Sequence, residues 1–308
     1  MDHAYLTPLI LAIIATATPL LLAATGELVT EKSGVLNLGI EGMMLMGAVS
    51  GFVTAKLTGS MVLALVAAGL TGMAMSALFG FLALVLLANQ VASGLALTIF
   101  GVGLSALVGA NWVGQPIDPL PVLFPAALAE LPLVGPVLFA HDFLTYLSFG
   151  AIAGVWWFLY RTKAGLILRA VGDAHDSAHA IGYNVVKVRF LATLFGGCMS
   201  GLAGAYLSLV YTPMWAENMS AGRGWIALAL IVFATWRPGR VLIGAYLFGA
   251  IAILQLHAQG AGLDIPAQFL NMLPYLATIL VLVIISRDAV RIRLNAPACI
   301  GKAFHPAA

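Results

Sequence analysis

Few side chains in this sequence could do chemistry, and their types narrow the choices. Glu41 stands inside an apolar run. If that run spans a bilayer, a carboxylate there is costly, so it faces protein or water and has a partner. Two readings are open: a role in gating or helix coupling, or a helix-start charge satisfied by backbone or by a nearby base such as Lys32. A substrate role fits less well, because Glu41 lies near the presumed cytoplasmic end of its helix. Asn89, Gln90 and Ser93 form the clearest polar cluster between long apolar runs, with Thr98 on the helical side of Gly94. Amides and hydroxyls suit a polar neutral ligand, because they donate and accept without charge. They equally satisfy free backbone groups at a break between two helices. So these four either line a solute path or repair a break. His175-Asp176-Ser177-Ala178-His179 places two histidines at i and i+4, like the zinc pattern H-E-x-x-H. Asp replaces the Glu that acts as base in that pattern and no third ligand stands out downstream, so no metal site is assigned. No plausible pair of catalytic groups sits within the apolar runs, which argues against an enzyme.

The elements that hold these residues are membrane helices. The chain has 308 residues, 62% hydrophobic and 8% charged. A soluble domain usually carries about 25% charged residues. Apolar runs near 6–26, 36–56, 60–87, 91–112, 143–160, 189–210, 224–236, 240–258 and 268–286 approach the roughly 20 residues that a bilayer core demands. The seventh is short for a crossing and reads as tilted, extended or a half-helix. The expected fold is an all-α polytopic bundle of about eight to ten spans. It forms one transmembrane domain over 1–308, with no soluble catalytic domain. The first run reads as a retained helix, not a signal peptide. Cys198 and Cys299 lie in contexts too different to suggest a disulfide.

Small residues mark the packing faces. Gly72, Ser76 and Gly80 recur at four-residue spacing; so do Gly197, Gly201 and Ala205, and beside them Ser200, Gly204 and Ser208. Such rows let helix backbones approach in lipid. Trp112, Trp215, Trp225 and Trp236 sit near span ends and read as interface anchors. Arg161, Lys163, Arg169, Lys187, Arg189, Arg237, Arg240 and the basic tail fall on one side by the positive-inside rule, and the acidic loop 113–142 on the other.

The cytoplasmic stretch 161–189 is long for a connection. Asp173 reads as an N-cap with Asp176 three residues later, and Gly182 as the residue just past the helix end. Between them Ala174, Ser177, Ala178 and Ile181 fall at i, i+3, i+4 and i+7, forming one small, weakly apolar face. His175, Asp176 and His179 take the other side. A short capped helix with such a face suits docking into a groove on a partner; it is equally a solvated helix resting on its own bundle.

The segment Gly26 to Met43 (GELVTEKSGVLNLGIEGM) resembles the N-terminal signature of permease subunits of bacterial ABC importers, of the ribose and branched-chain amino acid type. Thr162 to Gly182, Ser200 to Ala205, and Asn89 to Gly94 resemble the same family, closest to its nucleoside or simple-sugar branch. The resemblance implies the type II, vitamin-B12-importer-like fold. It implies that the Asp173–Gly182 helix couples to a separate ABC ATPase, which binds ATP and magnesium. Consistent with this, the chain lacks a G-x-x-x-x-G-K-[ST] phosphate loop and needs no cofactor of its own. It further implies a second homologous permease, an extracytoplasmic solute-binding lipoprotein and a bacterial cytoplasmic membrane location. Nothing points to nucleic acid. The rival class is an ion-driven secondary transporter, which needs intramembrane ionisable residues; Glu41 is the clear one.

Overall fold

A computed structural model describes residues 3–129, 135–260 and 295–305, with single positions between 269 and 283. The helices are α1 (His3–Lys32), α2 (Ile40–Thr58), α3 (Met61–Gly80), α4 (Gln90–Gly109), the short α5 (Ala126–Ala129) and α6 (Gly135–Phe139), α7 (Phe143–Arg161), α8 (Lys163–Asp173), α9 (His175–Ala180), α10 (Val185–Tyr206), α11 (Arg223–Phe233) and α12 (Pro238–Gly260). π-Helical turns extend α3 over Phe81–Val85 and α10 over Leu207–Tyr211. Among the described residues, seven helices are long and apolar enough to cross a membrane: α1, α2, α3, α4, α7, α10 and α12. The expected seventh span is α11, a half-helix of 11 residues. At about 1.5 Å per residue it covers about half of a bilayer core. The expected ninth span, 268–286, lies largely outside the described residues.

Side-chain oxygens set several helix starts. Asn89 accepts from the Ala92 amide at 3.0 Å, and Asp142 from Leu144 and Thr145 at 2.8 and 3.1 Å. Thr162 accepts from Gly165 at 3.0 Å and Asn184 from Lys187 at 2.9 Å.

The first helix does not stop at residue 26 but runs on to Lys32. Glu27, Glu31 and Lys32 look like a polar boundary in the sequence, yet all three are buried and hydrogen-bonded. Glu27 accepts from the Asn37 amide at 3.2 Å. Glu31 accepts from the Trp236 indole at 2.5 Å. Lys32 donates to the Asn295 carbonyl at 2.7 Å. Trp236 is therefore an interior partner, not an interface anchor. Trp215, too, is buried, against Gly109 of α4.

The most enclosed span is α2. It packs against α3, α4, α10 and α11. The small-residue rows explain the close approach. A Cβ on Gly72 would overlap the Gly197 carbonyl, and one on Gly201 the Ala68 carbonyl, so this row of α10 lies on α3. The neighbouring row faces α2: a Cβ on Gly204 would overlap the Met44 carbonyl, and Ser208 Oγ donates to the Ala48 carbonyl at 2.8 Å. Gly204→Val would have to displace backbone. It should cost at least about 1–3 kcal/mol, read as a lower unfolding temperature in detergent. Gly150→Val on α7, where an added Cβ meets nothing within 4 Å, should leave that temperature unchanged.

Candidate functional site

After α1 the chain does not run straight into α2. Residues 33–39 re-enter the bundle in extended and turn conformation. Gln90 Oε1 accepts from the Leu36 amide at 2.9 Å, and Thr98 Oγ donates to the Leu38 carbonyl at 2.9 Å. Two of the four polar residues singled out from sequence thus hold this segment's backbone. Asn89 is exposed and caps α4, and Ser93 is half-buried. The structure does not bring those two onto the segment.

Because α2 starts only after this re-entry, its second residue is already deep. Gly42 abuts Thr98, eight residues into α4, which is about 12 Å from that helix's start. Glu41 therefore lies inside the bundle, not near its face. Its partner is not Lys32 either. Glu41 Oε1 accepts from Ser220 Oγ at 2.5 Å and from the Gly222 amide at 2.8 Å; Oε2 accepts from the Gly224 amide at 2.6 Å. All three donors lie at the start of α11. A carboxylate suits that place, since a helix N-terminus presents free amides and partial positive charge. The approach needs glycine: a Cβ on Gly224 would stand 2.7 Å from Glu41 Cα. The turn before α11 holds Asn218, Ala221 and Gly222 at positive φ. Glu41 thus caps a half-helix from a different span.

At the other end of that half-helix lies the basic end of the molecule. There the helix expected between Asp173 and Gly182 forms as α9, but another helix, α8, runs directly up to it. Asp173 is the last residue of α8, not an N-cap; Ala174 precedes α9 with no side-chain cap. The misreading has a cause: Thr162 starts an earlier helix that the sequence pattern did not separate. α8 lies flat on its neighbours. A Cβ on Gly165 would overlap the Phe158 carbonyl of α7, and one on Gly172 the Lys32 carbonyl of α1.

The expected face of α9 also divides. Ala178 is 2% exposed, packed with Val171, Val185 and Phe304. His175 turns inward beside it. Ala174, Ser177 and Ile181 face out, and Ile181 is 72% exposed. Gly182 has φ +96° just past the end. Its amide donates to the His179 carbonyl at 2.8 Å, and that of Tyr183 to the Ala178 carbonyl at 3.1 Å, closing the helix.

Sequence reasoning missed Arg189, which organises this end. It is 1% exposed. Nε donates to the Ser33 carbonyl at 3.1 Å, one terminal nitrogen to the Lys302 carbonyl at 2.9 Å, and the other to His175 Nδ1 at 2.9 Å. The last bond requires a lone pair on Nδ1, hence a neutral ring with its proton on Nε2, toward Asp176 at 3.5 Å. Burial, then the Arg189 charge, hold the His175 pKa below its ordinary value, with Asp176 opposing.

Residues 9–285 match the family described as the permease component of branched-chain amino acid transport systems. The chain belongs to this permease family. Similar proteins include the putative glucose ABC transporter permease TsgC13 of Haloferax volcanii, 41% identical over 96% of each chain. The guanosine ABC transporter permease NupQ of Bacillus subtilis is 31% identical over 89% of this chain and 92% of its own. The nucleoside ABC transporter permease NupC of Lactococcus lactis is 29% identical over 89% and 90%. No solved structure matches. The permease is thus a multi-pass membrane transport subunit and not an enzyme. Its interior carboxylates number more than the one expected: Glu27 and Glu31 join Glu41. In the permease each accepts a hydrogen bond that ties two parts of the fold together. A signal was present: Glu27 and Glu31 stand at i and i+4, which puts both on one helix face.

Proposed function

We propose that the permease is the membrane subunit of an ATP-driven importer for a nucleoside or sugar-like solute, worked from the cytoplasm through α9. The outward row Ala174, Ser177 and Ile181 carries this reading. It leaves an apolar side chain open to water at the basic end, where the positive-inside rule places the cytoplasm. An ABC ATPase holding ATP and magnesium would seat on that row. The solute class rests on the names of the full-length relatives. A second homologous permease, an extracytoplasmic lipoprotein that captures the solute, and a bacterial cytoplasmic membrane complete the assembly. Asn89 and Ser93 retain surface at the start of α4, which supports a part for these two of the polar four in meeting solute.

The complex reconstituted in liposomes with its ATPase and binding protein should accumulate labelled guanosine or labelled glucose only when ATP is supplied. Accumulation driven by a sodium or proton gradient without the ATPase would replace this reading with a secondary transporter.

A further inference from the structure

Residues 295–305 return to the basic end and bond to four separate parts of the fold. The Asn295 carbonyl accepts from Lys32 at the end of α1 (2.7 Å). The Cys299 amide donates to Gly172 of α8 (2.9 Å), and the Gly301 amide to Gly34 in the connection after α1 (3.1 Å). The Lys302 carbonyl accepts from Arg189 of α10 (2.9 Å). Phe304 then stands edge-on to both His175 and His179 of α9, at 5.3 and 5.2 Å between ring centres.

This arrangement bridges a mechanical gap. α9 is six residues long, and its buried side rests on α8 and α10, not on the enclosed α2. The connection holding Ser33 and Gly34 leads directly into α2. Arg189 and the C-terminal residues grip both ends of that gap: His175 and His179 on one side, Ser33 and Gly34 on the other. Arg189 is held there by backbone carbonyls and a neutral imidazole.

We propose that residues 295–305, joined to Arg189, form a tie that carries displacement of α9 to the α1–α2 connection, so that Arg189 and Phe304 are positioning residues for transport. The proposal rests on the reading that α9 meets the ATPase. The tie is sensitive to acid, because protonating His175 removes the lone pair that Arg189 uses. The charged groups facing the ring are Arg189 on α10, Asp176 on α9 and Lys302 in the C-terminal segment. With the His175 pKa depressed in the folded protein, the bond is intact above about pH 6.5 and is lost as pH falls through the lowered value.

The test uses the assembled complex and three readouts: co-purification of the ATPase, ATP hydrolysis and solute uptake. Phe304→Ala and Arg189→Gln should each leave the ATPase bound and hydrolysing while uptake per ATP falls tenfold or more. His175→Asn keeps an acceptor near the Nδ1 position and cannot be protonated. It should retain uptake per ATP and abolish the decline of coupling below pH 6.5. Unchanged uptake per ATP in both of the first variants overturns the tie. Loss of the ATPase from both overturns it as well, since the residues would then only anchor α9. A wild-type complex in which α9 fails to crosslink to the ATPase would instead sink the docking reading, and the tie with it.

Discussion

Replacing Glu41 with leucine should release the start of α11 and abolish uptake. The carboxylate accepts from Ser220, Gly222 and Gly224, and leucine offers none of them a partner. An unsatisfied buried donor costs roughly 1–3 kcal/mol, so losing the partner of all three should cost on the order of 3–9 kcal/mol. In a membrane the freed amides cannot turn to water. The turn before α11 also carries Asn218 and Ala221 at positive φ, a backbone conformation that persists only when its surroundings hold it. Glu41→Gln keeps one acceptor oxygen but turns an amide N–H toward Gly224, and should fall between leucine and wild type. Ser220→Ala removes one donor and should cost about 1.5–3 kcal/mol, since that bond is to a charged group. Unfolding temperatures in detergent should therefore rank wild type, Ser220→Ala, Glu41→Gln, Glu41→Leu. A leucine variant as stable as wild type would mean that the half-helix is held by something else.

Ile181→Glu should uncouple the permease without unfolding it. Ile181 is exposed, so the carboxylate costs the isolated chain little, yet it places a charge where an apolar contact is needed. ATP-driven uptake should fall by a factor of 100 or more and the ATPase should no longer co-purify, while the unfolding temperature stays within a degree or two of wild type. Ser177→Trp, on the same outward row, should act alike. Ala178→Glu is the contrasting case. It sits against Val171, Val185 and Phe304, so the charge disrupts the protein's own packing and lowers the unfolding temperature. Gly182 is likewise unsuited as a docking probe, because any side chain there meets the penalty of φ +96°. Uptake that survives Ile181→Glu with normal expression would remove α9 from the mechanism.

Membrane helices were legible because lipid imposes one rule on every span: long, apolar and internally bonded. The small-residue rows were legible for a related reason, since nothing else lets α10 lie on both α2 and α3. What the sequence concealed were charges spent on partners distant in the chain. Glu31 meets Trp236, Glu41 meets Ser220, and Arg189 meets Ser33 and Lys302. Each pair is invisible to periodicity, and so Glu27, Glu31 and Lys32 passed for the end of a span. The depth of Glu41 was hidden by the re-entry of residues 33–39, because the apolar run starting near residue 36 takes part of that segment for the start of the span. On α9 the spacing was right but the face was not. With Ala178 and His175 inward, only Ala174, Ser177 and Ile181 of the expected row are free, and an apolar pattern alone does not say which flank the fold will cover.

The most direct measurement is a photo-crosslinking amino acid at position 181 in the assembled transporter within sealed vesicles. The expected result is a covalent adduct with the ATPase, and none from a matching probe in the outer loop at Val122. An adduct with the extracytoplasmic binding protein, or labelling of position 181 by a water-soluble reagent confined to the extracellular side, would contradict the account.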